Sequence, residues 1–368
     1  QKWTLFPYTT LFRSYLFESV EGGENWARYS LIGLESSKVI FIKKNLIEIK
    51  LNGEIIESFQ CEDPLGYMDK LQKSFELKRN EDLPIFNGGL VGYFGYDCVR
   101  FIEHKLANSE PPDQIGTPDA LFMISDEVAV FDNLKNKLHL IVLVESEEDV
   151  AKANVRLDEL ERRLKESLPF EDFSKPIKSI EESDFVSGFG EEEFKLSVEK
   201  AKEYIESGDI MQVVCSQRMS IPFNADPVAL YRSVRQLNPS PYMYYLNLDE
   251  FHIVGSSPEI LARLEDGKIT VRPIAGTRRR GKDEQDDKAM EEDMVNDPKE
   301  IAEHLMLIDL GRNDVGRVAK PGSVKVTEKF GIEKYSHVMH MVSNVEADLE
   351  EGLRSEERRV GKECPLLC

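Results

Sequence analysis

Residues 38–59, KVIFIKKNLIEIKLNGEIIESF, constrain the fold more than any other stretch of this chain. Apolar and polar residues alternate across it, the period-two pattern of half-buried strands, and Asn52-Gly53 divides it. Asn-Gly between alternating runs is the sequence of a tight β-hairpin turn, because both residues tolerate the positive φ that such turns need. A chain that reverses this sharply pairs its strands antiparallel. The pattern recurs. Residues 86–97, FNGGLVGYFGYD, are aromatic and punctuated by glycine, as suits buried strands whose backbones approach closely. Residues 120–144 read as two strands about a turn at Asp132–Asn136. A charged helix is expected over 147–167, and 168–190 mixes Pro, Ser, Gly and acid without period, as a linker does.

A second unit begins at Glu191. Residues 191–210 have helical spacing and Gly208 as the stop, residues 211–221 read as a strand, and Asp226-Pro227 opens a helix as N-cap and first residue. Strands with tight turns follow over 242–277. The acidic stretch 283–297 reads as a solvated loop and helix start, and Pro298 opens a strong helix to Asp314. Strands are expected again over 322–336, and SHVMHMVSNVEADL ends the patterned chain. Because most connections are hairpins, the expected class is α+β: antiparallel sheets in a sandwich-like core with helices outside, not a Rossmann or barrel fold. The expected organisation is a first domain over 15–167, a linker over 168–190 and a catalytic domain over 191–353. Residues 1–14 and 355–368 carry no clear period and are set aside as foreign to the fold.

Charge and composition narrow the function. The 368 residues carry a net charge of -21, which disfavours sequence-independent binding to nucleic acid or an acidic membrane. No apolar run approaches the roughly 18 residues that span a bilayer, and the start lacks the basic-then-apolar pattern of a secretory signal. Cys61, Cys98, Cys215, Cys364 and Cys368 are few, odd in number and without zinc spacing, so reduced thiols and a cytoplasmic location are expected.

Four features have residue types suited to chemistry. Glu300, Glu303 and His304 are three and four apart on one helix, so they share a face, with Ile301, Leu305 and Ile308 on an apolar face beside it. Carboxylates set so suit Mg²⁺, which takes one or two from a protein and leaves other positions to substrate and water. By pattern alone a solvated acidic face at a helix start is the simpler reading. In Arg272–Gly281, RPIAGTRRRG, a strand ends in Gly-Thr before three arginines. They could receive a small anion, or pair with the acids at 283–293. His340 and Glu259 stand singly; alone, the first reads as a core histidine and the second as a helix start.

Taken in order, IMQVVCSQR (210–218), GSSPE (255–259), PIAGTRRRG, DPKEIAEHLMLIDLGRND and YSHVMH resemble the chorismate-binding enzymes. The branch most similar is that of the large subunits of anthranilate synthase, and LFES (16–19) with ARYSLIG (27–33) resembles the first domain of those subunits. The resemblance covers about residues 15–353. It implies that ammonia adds at C2 of chorismate as the C4 hydroxyl leaves, and that pyruvate is then eliminated. It also implies a glutamine amidotransferase subunit as the partner that supplies ammonia, and Mg²⁺ as cofactor. Residue by residue, Glu303 matches the family's metal ligand with Glu300 beside it. Glu259 matches the general acid, His340 a catalytic histidine in proton transfer, and Gly276 and Thr277 backbone contacts to substrate.

Two positions separate the branches. Isochorismate and salicylate synthases carry Lys at the Gln212 position, where it activates water; Gln cannot. Aminodeoxychorismate synthases typically carry Lys at the Ala275 position, where it attacks the ring; Ala cannot. The resemblance further implies inhibition by tryptophan, with Glu18 and Ser19 on one side of its site and Asn238, Pro241, Tyr242 and Met243 on the other. These segments fall in the two expected domains, so the ligand is expected to bias domain closure. The family pattern continues past residue 353 with a second metal glutamate, a tyrosine, an arginine and a Gly-rich carboxylate loop, and truncation there is expected. The rival readings are an aminodeoxychorismate synthase and an inactive module that only regulates or binds.

Overall fold

A computed structural model describes residues 13–19, 28–75, 82–107, 109–166 and 179–350. Residues 1–12 and 355–368, most of the termini set aside above, lie outside the described residues; the first strand starts at Ser14. All strand pairs are antiparallel, as expected, and they make three large sheets.

The first sheet has five strands: Lys38–Lys43, Leu46–Leu51 and Glu54–Gln60 in a meander, then Ala120–Ser125 and Gly89–Phe94 beyond Lys38–Lys43. The turn at Asn52-Gly53 sits where the sequence puts it, and a second at Lys44 divides the first run into two strands. Lys44 and Asn52 have φ of 51°, and Gly53 has φ of 88°. A second, six-stranded sheet runs His252–Ser257, Tyr242–Asn247, Ser14–Glu18, Tyr29–Gly33, Glu127–Asp132, Lys137–Val142. The alternation decides how these two sheets pack. Val39 joins Tyr15, Val91, Leu121, Met123 and Leu246 in a core between the sheets. The next residue, Ile40, points the other way and packs with Met68 of the Pro64–Ser74 helix. Likewise Leu16 turns from Tyr15's core to one containing Leu160, Val228 and Tyr231 on the helices Val150–Leu164 and Pro227–Leu237. The result is helix, sheet, sheet, helix, with a dry apolar layer at each joint.

The six-stranded sheet joins chain regions that the sequence assigns to different domains: Tyr15 pairs with Leu246 and Glu18 with Met243. Compact units divide the chain accordingly, with a smaller unit over Phe170–Asp226. In that unit the helix Glu191–Glu206 forms as expected, with Gly208 at φ 79° after its end. The strand expected at 211–221 shrinks to Met219–Ser220, which pairs with Val186–Ser187. A strand persists only where a neighbour takes its backbone groups, and here the described ladder is two residues long.

The third sheet carries the motifs. Its central strand, Val338–Asp348, is paired on both edges. Lys325–Lys334 runs along one edge; Ile274–Arg279 takes the first half of the other and Lys268–Val271 the second, with Arg263–Glu265 outermost. Odd-numbered side chains of the central strand face helices. Val345 and Ala347 pack with Ile308 and Val315 of the helix Pro298–Gly316, and Met339 and Met341 with Met294 of the helix Glu284–Asn296. The acidic stretch is thus a full helix, not a loop. Asp283 caps it by accepting from the amides of Gln285 and Asp286, and first-turn acids favour the positive end of the dipole.

The Pro298–Gly316 helix corrects one expectation. Its buried stripe is His304, Ile308, Gly311 and Val315, while Leu305 is exposed. His304 does not share the open face of Glu300 and Glu303. It is fully buried, with Nε2 2.8 Å from Ser343 Oγ and no hydrogen-bond partner at Nδ1. Burial pushes its pKa down to about 4. The unfolded chain, where histidine titrates near 6.5, therefore binds the proton first. Stability should fall as pH drops from about 6.5 to about 4, by up to about 3 kcal/mol. His304→Leu removes this loss. Melts of both proteins between pH 7 and 4 should show the parent losing ground to the variant; parallel curves would contradict a buried neutral His304.

Candidate functional site

The even-numbered side chains of the central strand face away from the helices, and His340 is among them. A bulge on the neighbouring strand builds the site around it. Ala275 pairs with Met341 and Thr277 with His340, leaving Gly276 without an opposite residue. Gly276 has φ of 64°, the left-handed conformation that glycine adopts without steric cost. A side chain here would be crowded as well, since a Cβ would lie 3.2 Å from Met294 Sδ and 3.5 Å from Glu300 Oε2. The bulge advances the register so that Thr277 stands opposite His340. It also turns the Gly276 carbonyl toward the imidazole. His340 Nδ1 is 3.1 Å from Gly276 O and 3.2 Å from Thr277 Oγ1. A carbonyl only accepts, so Nδ1 carries the hydrogen and Nε2 holds the lone pair. Thr277 is exposed and His340 half-buried, so the arrangement is open to a ligand.

The three arginines after Thr277 are occupied. Arg278 reaches three carboxylates on the helix side: Nε to Asp293 at 2.6 Å, Nη2 to Asp297 at 2.9 Å and Nη1 to Glu300 at 3.2 Å. Arg279 pairs with Asp286 and Arg280 with Asp287. The Arg280 guanidinium and the Gly281 amide hold the Asp287 carboxyl down to about 2. Of the two readings left open, pairing with the acidic run is the one observed. It fixes the Gly276 strand to both helices.

Glu300 lies beside Gly276, with its side chain 14% exposed and its Oε1 taken by Arg278. Glu303, one turn on, is half-buried. Among the described residues no group of three or more His, Cys, Asp or Glu could enclose a metal ion. One or two carboxylates are what Mg²⁺ takes when substrate and water complete its shell, so Glu303 fits as a donor, with Glu300 as a constrained second. Glu259 follows the strand His252–Ser257 and starts no helix; it is exposed, and its amide donates to Ser257 Oγ. Ala275 lies in the paired strand, its methyl offering no nucleophile. Gln212 belongs to the smaller unit and is half-buried there.

The two effector segments come together, but not across a domain boundary. Glu18 is the cross-strand partner of Met243. Domain closure is therefore not the geometry, because the segments are adjacent strands of one sheet. The Glu18 carboxylate is already engaged: Oε2 accepts from Tyr231 Oη at 2.8 Å and Arg235 Nε at 2.9 Å. Met243 is buried beside it. Ser19 follows the strand end, and Asn238 and Pro241 precede Tyr242. The Tyr242 hydroxyl accepts from Arg263 at 3.1 Å. Arg263 also lines a cavity of about 390 Å³ with Tyr29, Leu31, Phe86, Leu264 and Glu265. The sequence reading missed this cavity, because its walls come from three distant stretches of chain.

The family profile described as chorismate binding enzyme matches residues 33–357. The anthranilate synthase component 1 of Pseudomonas aeruginosa is 52% identical over 343 residues, covering 92% of this chain and 70% of that protein. The component of the same name from Neisseria gonorrhoeae is 50% identical over 354 residues, covering 94% and 70%. The crystal structure of anthranilate synthase component I from Streptococcus pneumoniae superposes with a TM-score of 0.75 at 32% identity, over 93% of this chain and 74% of that one.

The ion pairs around Arg278 generate a stability prediction. Its side chain is 19% exposed and holds three acids, whereas that of Arg279 is 54% exposed and holds one. Arg278→Gln takes the arginine from Glu300, whose side chain is 14% exposed, and should cost more than about 1 kcal/mol. Arg279→Gln should cost less than about 1 kcal/mol. Urea unfolding of the two variants measures both; equal costs would mean that Arg278 does not brace the strand.

Proposed function

We propose how this chain acts from one premise: it belongs to the chorismate-binding enzymes, in the branch of anthranilate synthase component 1. Its reaction is chorismate plus ammonia giving anthranilate, pyruvate and water. The observation that carries the residue assignment is the bulge at Gly276, which sets His340 and Thr277 together on an open polar face.

His340 moves the proton. With Nδ1 held by the Gly276 carbonyl, Nε2 is the ring nitrogen left to take or return a proton on the substrate. Gly276, which the bulge leaves without an opposite residue, and Thr277 beside it offer backbone groups to the substrate. Glu259, in its protonated form, acts as general acid and gives its proton to the departing C4 hydroxyl, which leaves as water. Gln212 cannot deprotonate water, and Ala275 cannot attack the ring, so neither hydroxylation nor a covalent route competes with ammonia. Glu303, with Glu300, would hold Mg²⁺, which supplies positive charge to the ring carboxylate when bound. Arg278 keeps Glu300 in place from behind.

Ammonia comes from glutamine through an amidotransferase subunit, since no Cys-His glutaminase pattern occurs here. Tryptophan inhibits from the Glu18–Met243 region. On the other face of that sheet, beside Tyr242, the cavity with aromatic and aliphatic walls and the Arg263–Glu265 pair of charges suits an aromatic amino acid. Because Glu18 is spent on Tyr231 and Arg235, its replacement should cost stability rather than relieve inhibition alone.

Two measurements test this reading on the complete protein. Supplied with chorismate, Mg²⁺ and ammonium, it should form anthranilate, seen by its fluorescence; para-aminobenzoate or isochorismate as product would defeat the assignment. Glu303→Gln keeps shape and loses charge. It should raise the Mg²⁺ needed for half-maximal turnover at least about tenfold, with stability changed by under about 0.5 kcal/mol. Superimposable Mg²⁺ titrations would return Glu303 to a solvated surface.

A further inference from the structure

One hydrogen-bonded pair does not fix an imidazole. Nδ1 on the Gly276 carbonyl still lets the ring tilt about that contact, and a tilted Nε2 misses its proton. A second constraint lies on the same face of the sheet. The Tyr335 ring stands edge-on to His340, with centroids 5.6 Å apart and planes at 63°, a favourable aromatic geometry. Its hydroxyl donates to Glu333 Oε2 at 2.8 Å. Glu333 Oε1 in turn accepts from Arg272 Nη2 at 2.6 Å, and the Arg272 side chain is 9% exposed. Glu333 is also the direct cross-strand partner of His340. Two strands and the link before a third therefore contribute to one connected set: Arg272 precedes the bulged strand, Glu333 lies on the strand Lys325–Lys334 and His340 on the central one. None of Arg272, Glu333 and Tyr335 has a role in the reaction as derived above.

We propose that Tyr335 is a positioning residue for His340, with the Arg272–Glu333 ion pair as its anchor. The Gly276 carbonyl and Thr277 hydroxyl hold the imidazole on one side; the Tyr335 ring limits its tilt on the other. Glu333 fixes where that ring stands by holding its hydroxyl, and Arg272 fixes Glu333. The chain of contacts passes orientation, not protons, so the ring of Tyr335 should matter more than its hydroxyl.

This inference rests on His340 acting in the reaction, and the test separates the two. In the complete protein, with saturating chorismate and ammonium, His340→Asn establishes whether the histidine acts at all. If it keeps the parent kcat, the site assignment fails and the inference with it. If it loses kcat, Tyr335→Leu and Tyr335→Phe decide the inference alone. Tyr335→Leu should lower kcat about 10- to 100-fold, as expected for a misplaced catalytic group, with KM for chorismate within about twofold and the melting temperature nearly unchanged. Tyr335→Phe keeps the ring and should restore kcat to within about fivefold of the parent. Arg272 sits deep in the fold and would confound function with stability, so Glu333→Gln serves as the anchor variant. It keeps an acceptor for the tyrosine and should fall between the other two. A parent-like kcat in Tyr335→Leu, or a rise in KM with kcat intact, would overturn the proposal. Equal losses in the Leu and Phe variants would do so too.

Discussion

The pairing of one strand, Val338–Asp348, on both edges is the constraint that the rest of the functional half depends on. A strand so placed has its backbone groups taken up by neighbours, so its two faces are set by alternation alone. One face is committed to methionine, valine and alanine against two helices. The other carries His340, Asn344 and Glu346 around a buried Val342. Because register fixes face, slipping by one residue would bury the histidine and expose the core. On the edge that carries the site, the ladder breaks step at the Gly276 bulge, and that break sets Thr277 opposite the imidazole.

Charge then does locally what the core does globally. The chain is strongly acidic overall, yet its densest arginine run meets carboxylates from two successive helices. Arg278 alone joins the bulged strand to Asp293 near the end of one helix and to Asp297 and Glu300 at the start of the next. Asp297 is also the N-cap, accepting from the amide of Lys299 at 2.9 Å. Strand, cap and candidate metal-side carboxylate are thereby coupled in one network. Such a network is costly to break where its groups are shielded, as Arg278 and Glu300 are, even if assembling it gains little net energy.

Much of this was legible in the sequence. Alternation and Asn-Gly punctuation marked the hairpin about Asn52-Gly53, though not the turn at Lys44, and Pro298 marked a helix start correctly. Motif order pointed to the family. What failed did so for tertiary reasons. His304 matches Glu300 in helical spacing, but a surface face and a buried stripe lie one residue apart on a helix, and Ser343 across the sheet decides which one His304 joins. The strand expected at 211–221 has the right composition but a described partner for only two residues. The sequence treats Ser14–Glu18 and Tyr242–Asn247 as parts of separate domains, yet their backbones pair directly, and a contact across more than two hundred residues leaves no local trace. Tyr335 lay inside the YSHVMH motif, but only the coordinates reveal that its ring meets His340.

The central claim is that the left-handed bulge, and not merely the presence of His340, makes the site competent. Gly276→Ala in the complete protein tests it most directly. The methyl group must occupy a conformation that costs about 1–2 kcal/mol for an L-residue and press on Met294. Anthranilate formation and thermal unfolding should be measured on the same preparation. The account predicts a cooperative melt lowered by a few degrees, with kcat reduced at least about tenfold as His340 loses its carbonyl partner and Thr277 its register. A variant that melts lower but turns over chorismate at the parent rate would contradict it.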